Sequence, residues 1–335
     1  EESSGPLAVI IIPSLLAFSS VLVVALIFYP WEIPQECVLE GLEFWQTGRY
    51  GPICKGLLKK KDGPSSAVVV KCLRGPNQPE AKEFVEWLLF HATVCKHQNV
   101  VQMLYCQTKH LPMYLVLDAY SPGNLLHFLW TLRNKNSDSD ADPLQNFSEK
   151  SVFLMAKQVA AGLDYLMSEH RLVHGDVAAR NILIGPGLSA RVSGLGVAFG
   201  GRRMDSAFRQ RATEVPLKWQ APERIMMQLI IDRSDWSFGI LLYELVTLSP
   251  PYPELEPLSV LPKLQGSYRM KRPGNCGGPY DLMKYCWMWS FKDRPTFSAI
   301  IKLLDSSLHL AALKPLHVPE VIDIFEYNRK AGLLS

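Results

Sequence analysis

Up to residue 118 the chain is written mostly in short β-like runs, and beyond Gly123 the pattern turns helical. This one-way change limits the fold more than any other feature. GPICKGLL (51–58) and SAVVVKCL (66–73) read as strands joined by a KKKDGPSS turn, and VVQMLYC (100–106) and MYLVLDAY (113–120) read as two more. Between the pairs, EAKEFVEWLLFHATV (80–94) carries Phe84, Trp87, Leu88 and His91 on one helical face. Downstream, LLHFLWTL (125–132) and KSVFLMAKQVAAGLDYLMSEH (150–170) are helical, and the stretch between them is polar and proline-interrupted. The pattern predicts a small β-rich lobe ahead of a larger helical one, with no internal repeat.

Ahead of both lies LAVIIIPSLLAFSSVLVVALIFY (7–29), 23 residues without a charge. As a helix it would rise about 34 Å at ~1.5 Å per residue, enough for a hydrocarbon core of ~30 Å. Pro13 and the serines are tolerable inside such a span, and Tyr29 and Trp31 stand where interfacial aromatics do. A cleaved signal peptide would want a basic start, whereas the chain opens Glu1-Glu2. Lys55, Lys59, Lys60 and Lys61 lie beyond the run. The expected topology is therefore single-pass: an outer stub (1–6), a transmembrane helix (7–29), a juxtamembrane linker (30–40) and the remainder cytoplasmic, at the plasma membrane. Lys and Arg number 35 against 32 acids, a net charge of +3, which gives no reason to expect nucleic acid as a partner. Seven cysteines without CxxC spacing suit a reducing compartment better than a disulfide framework.

TGRYGPI (47–53) is a glycine-containing turn in which Gly48 and Gly51 would let backbone N–H groups approach a phosphate. By itself such a pattern is more often an ordinary hairpin, and a lone lysine such as Lys71, at the end of VVVK, is more often solvent-facing. VHGDVAARNILI (173–184) is far more specific, with a His, an Asp two residues later and an Asn five beyond that. PLKWQAPER (216–224) and YDLMKYCWMWSFKDRPTF (280–297) complete the set. Together these stretches resemble a protein-kinase domain of the tyrosine-kinase branch. HGDVAARN stands where that family has HRDLAARN, and PLKWQAPE where it has P-[VI]-K-W-M-A-P-E. The resemblance runs from about Gly41 to Leu308. It implies an α+β, bilobal protein-kinase fold: a β-rich N-lobe (41–117), a larger helical C-lobe (121–308), a mobile insertion (132–147) and a C-terminal tail (309–335).

The resemblance also implies ATP as cofactor and phosphoryl transfer, in which positioning and charge neutralisation do most of the catalysis. Lys71 matches the lysine that grips the α- and β-phosphates, Gly48 and Gly51 the phosphate turn, and Ile53 the residue that caps adenine. Leu117 falls at the gatekeeper and Asp118, Ala119 and Tyr120 at the hinge. Asp176 matches the catalytic base, Arg180 the position beside the incoming phenol, and Asn181 a ligand of Mg²⁺.

Other positions depart from the family. Gln46 replaces the first glycine of the loop, and Pro52 removes a donor. The glutamate that pairs with the lysine falls at Trp87 or Leu88, and Glu86 lies about 100° round the helix from position 87. Gly175 replaces the arginine that receives a phosphorylated activation segment, and 197–214 contains no tyrosine. RSDWSFG (233–239) is one residue short of SDVWSFG, whereas Glu223 and Arg294 match the family's structural ion pair. Gly194, 18 residues after Asp176, replaces the metal-holding aspartate. Mg²⁺ is therefore expected to bind weakly or not at all. Losing that charge lowers the rate by roughly 10²–10⁴. Two readings stay open: a membrane-anchored tyrosine-protein kinase of weak activity, and a pseudokinase that signals by binding. The expected partners are membrane lipid and cytosolic signalling proteins, with protein tyrosine substrates under the first reading.

Overall fold

The computed structural model describes residues 13–14, 17, 19, 22–23, 25–61, 63–75, 78–134, 147–203, 215–227, 235–274, 276–311, 313, 316 and 323–333. The chain divides into two compact units, 1–96 with 102–119, and 97–101 with 120–335.

The first unit contains a five-stranded antiparallel sheet and a helix that follows its third strand. Its strands are β1 (Cys37–Gly48), β2 (Gly51–Lys60), β3 (Ser66–Leu73), β4 (Met103–Gln107) and β5 (Met113–Asp118), in the order β1-β2-β3-β5-β4. Strand alternation puts Val68, Val70 and Cys72 on one face, where they meet Cys37, Cys54, Leu58 and Val116. Each such burial contributes roughly 1.5–3 kcal/mol for a valine- or leucine-sized side chain. β1 begins inside the expected linker, because Cys37 and Leu39 already face this core. The helix α1 (Gln78–Val94) buries Phe84, Trp87, Leu88 and His91 together, as its periodicity predicts. All seven cysteines of the chain are free and buried.

The second unit is helical: α2 (Leu125–Asn134), α3 (Glu149–His170), α4 (Gly196–Arg203), α5 (Pro222–Met227), α6 (Asp235–Thr247), α7 (Val260–Gln265), α8 (Gly278–Cys286), α9 (Phe297–Leu308) and α10 (Ile324–Ala331). Helix α6 is its axis, buried at every residue from Asp235 to Val246, as a helix apolar on all sides must be. α3 starts on a Ser148/Ser151 capping box and stops where Arg171 turns left-handed. A small sheet, β6 (Gly123–Asn124), β7 (Ile182–Ile184) and β8 (Ala190–Val192), holds the C-terminal end of the catalytic-loop motif. Residues 97–101 belong here because Val101 N–H donates to Val192 O at 2.8 Å. The Glu223–Arg294 pair is bidentate at 2.6 and 2.9 Å, with the arginine side chain wholly buried.

α2 continues to Asn134, and Phe147 is buried edge-on to Phe128 at 6.1 Å, while 135–146 lie outside the described residues. Much of the apolar run 7–29 also lies outside them, as does the stub 1–6. Residues 13, 14, 17, 19, 22, 23 and 25–28 are helical, and Tyr29–Trp31 form a 3-10 turn. Among the described residues, no helix is long and apolar enough to cross a membrane.

Candidate functional site

In the first unit, β3 sets Lys71 between its register partners, Ile53 on β2 and Leu115 on β5. Burial pushes the lysine below its ordinary pKa range, with the Cys95 thiol acting the other way. Its Nζ lies 5.8 Å from the centre of the Trp87 ring, within reach of a cation–π attraction. Of the two positions open to the missing glutamate, it is position 87 that offers its side chain to the lysine, and that side chain is an indole. His91 steadies it: Nδ1–H donates to Trp87 O at 2.9 Å, and the two rings meet edge-on at 4.3 Å. Burial, helped by the Lys71 charge, lowers His91 to about 3, so it is neutral.

The glycine turn is a tight hairpin. Gly48 pairs with Gly51, leaving Arg49 and Tyr50 at the tip. Gly51 adopts φ +140° and runs so close to β3 that a Cβ would stand 2.8 Å from Cys72 O. The Ile53 side chain, buried, lies against Gly48. The tip is tied to α1: Arg49 pairs with Glu83 at 2.8 Å, and Tyr50 Oη donates to the same carboxylate at 2.9 Å. Tyr50 also packs edge-on against Phe84, 5.3 Å away. At the far end of the sheet Leu117 is buried, Asp118 pairs with Val68, and Ala119 N–H donates to Ala67 O at 3.1 Å. Tyr120 belongs to the second unit, where the Arg191 guanidinium lies 4.5 Å over its ring.

The second unit brings Asp176, Arg180 and Asn181 together. Arg180 donates to Asp176 Oδ1, and Asn181 Nδ2 donates to both Asp176 Oδ2 and Asp176 O at 2.8 Å. The loop is fixed from behind by buried His174, whose pKa burial lowers. Its Nδ1 accepts Asp176 N–H at 3.1 Å, which leaves Nε2–H to donate to Ser193 O at 2.7 Å. Arg224 donates to Gly175 O, across the position that lost its arginine. The Arg180 guanidinium lies 4.5 Å over the Trp219 ring.

Gly194 adopts φ +70°, and the space a side chain would need there is taken. An added Cβ would collide with Asn181 Cγ and Oδ1 and stand 2.9 Å from Asn181 Cβ. α4 begins two residues later and buries Val197, Ala198 and Phe199. Residues 204–214 and 228–234 lie outside the described residues, so of the shortened RSDW only Asp235 and Trp236, both buried at the start of α6, are described.

Mg²⁺ requires oxygen ligands in near-octahedral array. Here Asn181 is turned onto Asp176, both Asp176 oxygens already accept hydrogen bonds, and SGLGVAF contains no acid. Among the described residues no group of three His, Cys, Asp or Glu could hold a metal ion. These side chains do not fit a catalytic Mg²⁺.

Three residues of the site escape sequence reasoning. Glu83 is the acid on the Trp87 face, and it was findable: it lies four residues, one helical turn, before position 87, whereas Glu86 does not. Glu244 and Tyr327 carry no such signal. They meet only in three dimensions, where Tyr327 Oη donates to Glu244 Oε1 at 2.6 Å.

The family model described as protein tyrosine and serine/threonine kinase matches residues 41–304. Tyrosine-protein kinase STYK1 of Mus musculus is 39% identical over 308 residues, covering 90% of this chain and 71% of that protein. Its Homo sapiens namesake is 40% identical over 309 residues, covering 90% and 72%. Tyrosine-protein kinase Abl of Drosophila melanogaster is 35% identical over 263 residues, covering 77% of this chain and 15% of that protein.

Proposed function

The chain belongs to the protein tyrosine and serine/threonine kinase family, and from that premise we propose that it is a kinase-shaped signalling module whose metal-dependent phosphotransfer is disabled. The observation that carries this reading is the Asn181 side chain, hydrogen-bonded to Asp176 and filling the space beside Gly194. Catalysis by this family rests on a metal that neutralises charge on the transferring phosphoryl group. Lys71 is the residue left to hold a nucleotide phosphate, with the backbone of Asp118 and Ala119 beside adenine and Ile53 over it. Signalling then proceeds by binding cytosolic proteins rather than by modifying them. The second reading, a weak tyrosine kinase acting on protein tyrosine, is favoured by the retained Asp176, Arg180 and Asn181 set over Trp219.

Phosphotransfer from ATP to a tyrosine peptide pool distinguishes the two. The proposal predicts equal, background rates for wild type and Asp176→Asn; a wild-type rate that Asp176→Asn abolishes establishes the second reading. The same proposal places the module on a membrane through 7–29, with the kinase domain cytoplasmic, on the strength of 23 uncharged residues. In sealed right-side-out vesicles, added protease should leave the C-terminal domain intact; its digestion would refute that orientation.

A further inference from the structure

Helix α10 lies beyond the stretch that matches the kinase family, yet it is bound to the machinery described above. Asp323 caps its start, accepting Glu326 N–H at 2.7 Å, and Gly332 ends it in a left-handed turn. Its inner face buries Tyr327 and Ala331, whereas Phe325 points outward, 64% exposed. The carboxylate that receives Tyr327 Oη is already in use: Glu244 Oε2 accepts Ala179 N–H and Trp219 Nε1–H, both at 3.0 Å. Ala179 directly precedes Arg180, whose guanidinium covers Trp219. Beside them buried Lys218 donates to Tyr252 O at 2.9 Å and to the helix itself at Lys330 O. One buried carboxylate and one buried ammonium therefore join the tail to the catalytic loop and to the turn at 217–219.

The joint has a defined chemical weakness. Burial and the neighbouring Glu244 hold the Tyr327 phenol protonated, so it serves as the donor to that carboxylate. If Tyr327 Oη bonds to the γ-phosphorus of ATP, ADP leaves, the phenolic proton goes to solvent and the donor is gone. In its place stands a group of about −1.5 to −2 charge at neutral pH, facing Glu244. No such group fits a pocket where three donors already converge on one carboxylate. α10 has eight residues and two buried side chains, few enough that a local opening which leaves the rest of the unit folded would expose the phenol to a modifying enzyme. Once it leaves, Glu244 and Lys218 can receive the same chemistry from elsewhere: a tyrosine hydroxyl and a backbone carbonyl.

We propose that Tyr327 is a phosphorylation site for a tyrosine kinase using ATP, and that its modification expels α10 and opens Glu244, Trp219 and Lys218 to a tyrosine-bearing segment of a partner protein. This goes beyond the pseudokinase reading and needs neither nucleotide binding nor catalysis by this chain.

The test uses the full chain, treated with an active tyrosine kinase and ATP, and hydrogen exchange read over 324–333. Tyr327 should be phosphorylated, and exchange there should rise by about tenfold or more while amides of α6 keep their protection. Tyr327→Glu should give the same release without the enzyme. A labelled peptide of residues 322–335 should then bind the Tyr327→Glu chain and not wild type, and its phosphotyrosine form should bind neither. Failure of Tyr327 to be phosphorylated while exposed tyrosines are would overturn the modification site. Phosphorylation that leaves 324–333 protected would overturn the release. Equal peptide binding to wild type and Tyr327→Glu would overturn the uncovered site. Should Tyr327→Glu lose protection in α6 as well, the phosphorylated wild type supplies the exchange result, and wild type with and without phosphate replaces the variant in the peptide comparison.

Discussion

Giving position 194 a side chain tests the closed metal site without any ligand. In Gly194→Ala the new Cβ meets Asn181 Cγ, Oδ1 and Cβ, so the asparagine must swing away. It then gives up two hydrogen bonds to Asp176, one of them to a carboxylate, together about 2–3 kcal/mol. Holding an alanine at φ +70° adds about 1 kcal/mol. The sum, about 3–4 kcal/mol, lowers the melting temperature by on the order of 10 °C in a domain of this size. Asn181→Ala loses the same two bonds but removes Cγ and Oδ1, the two atoms a Cβ at 194 meets most closely, and leaves only the Cβ. The double variant should therefore be about 2 kcal/mol less damaged than the two single variants added together. Urea denaturation of the four proteins measures this directly. A Gly194→Ala cost below about 0.5 kcal/mol, or simple additivity with Asn181→Ala, would show that Asn181 does not occupy the site. Gly194→Asp carries the same steric cost, and any gain in autophosphorylation should exceed that from Trp87→Glu or Leu88→Glu.

Acidification should destabilise the fold. His91 is lowered to about 3 from 6.5 and burial also lowers His174, so below pH 6.5 the unfolded chain binds more protons. Stability is therefore fully present above about pH 6.5 and, for His91, falls toward pH 3 by about 1.4 kcal/mol per pH unit, with His174 acting in the same direction; urea midpoints at neutral pH and near pH 5.5 read the loss, and His91→Phe should reduce it. Glu83→Ala removes both ties on the glycine turn and should speed hydrogen exchange at residues 48–51 about tenfold, leaving β3 unchanged. Arg294→Met takes the guanidinium from two buried carboxylates, Glu223 and Asp235, and should cost about 3–5 kcal/mol in denaturant unfolding, only part of it recovered by adding Glu223→Leu.

The features legible in the sequence are those whose physics is local. Hydrophobic alternation places β2 and β3, helical spacing places the buried face of α1, and the loop 173–184 keeps its polar residues at fixed short separations. The substitution at 194 is visible as a missing carboxylate, but its consequence is not. That Asn181 moves into the space depends on a φ of +70° and on the Asp176 hydrogen bonds, which only the folded loop displays. The choice between Trp87 and Leu88 likewise requires the direction of Lys71 across the sheet. β1 is not legible as a strand because bulges between Glu40 and Glu43, and between Phe44 and Gln46, break the period-two signal. α10 is eight residues of mixed polarity, and what makes it matter is a single phenol reaching Glu244, 83 residues away in sequence.

The measurement that bears most directly on the closed metal site is the affinity of the purified full chain for ATP, titrated by thermal shift in Mg²⁺ and again in EDTA, with a Lys71→Met variant alongside. Binding stabilises the folded state in proportion to the logarithm of ligand over Kd, so the two titrations compare affinities on one scale. With Asn181 turned onto Asp176 and no acid at 194, the metal has nothing to add: affinities should agree within about twofold and disappear in Lys71→Met. ATP binding tighter by about tenfold or more in Mg²⁺ than in EDTA would mean that the metal site is open, and the account of Gly194 and Asn181 would be wrong.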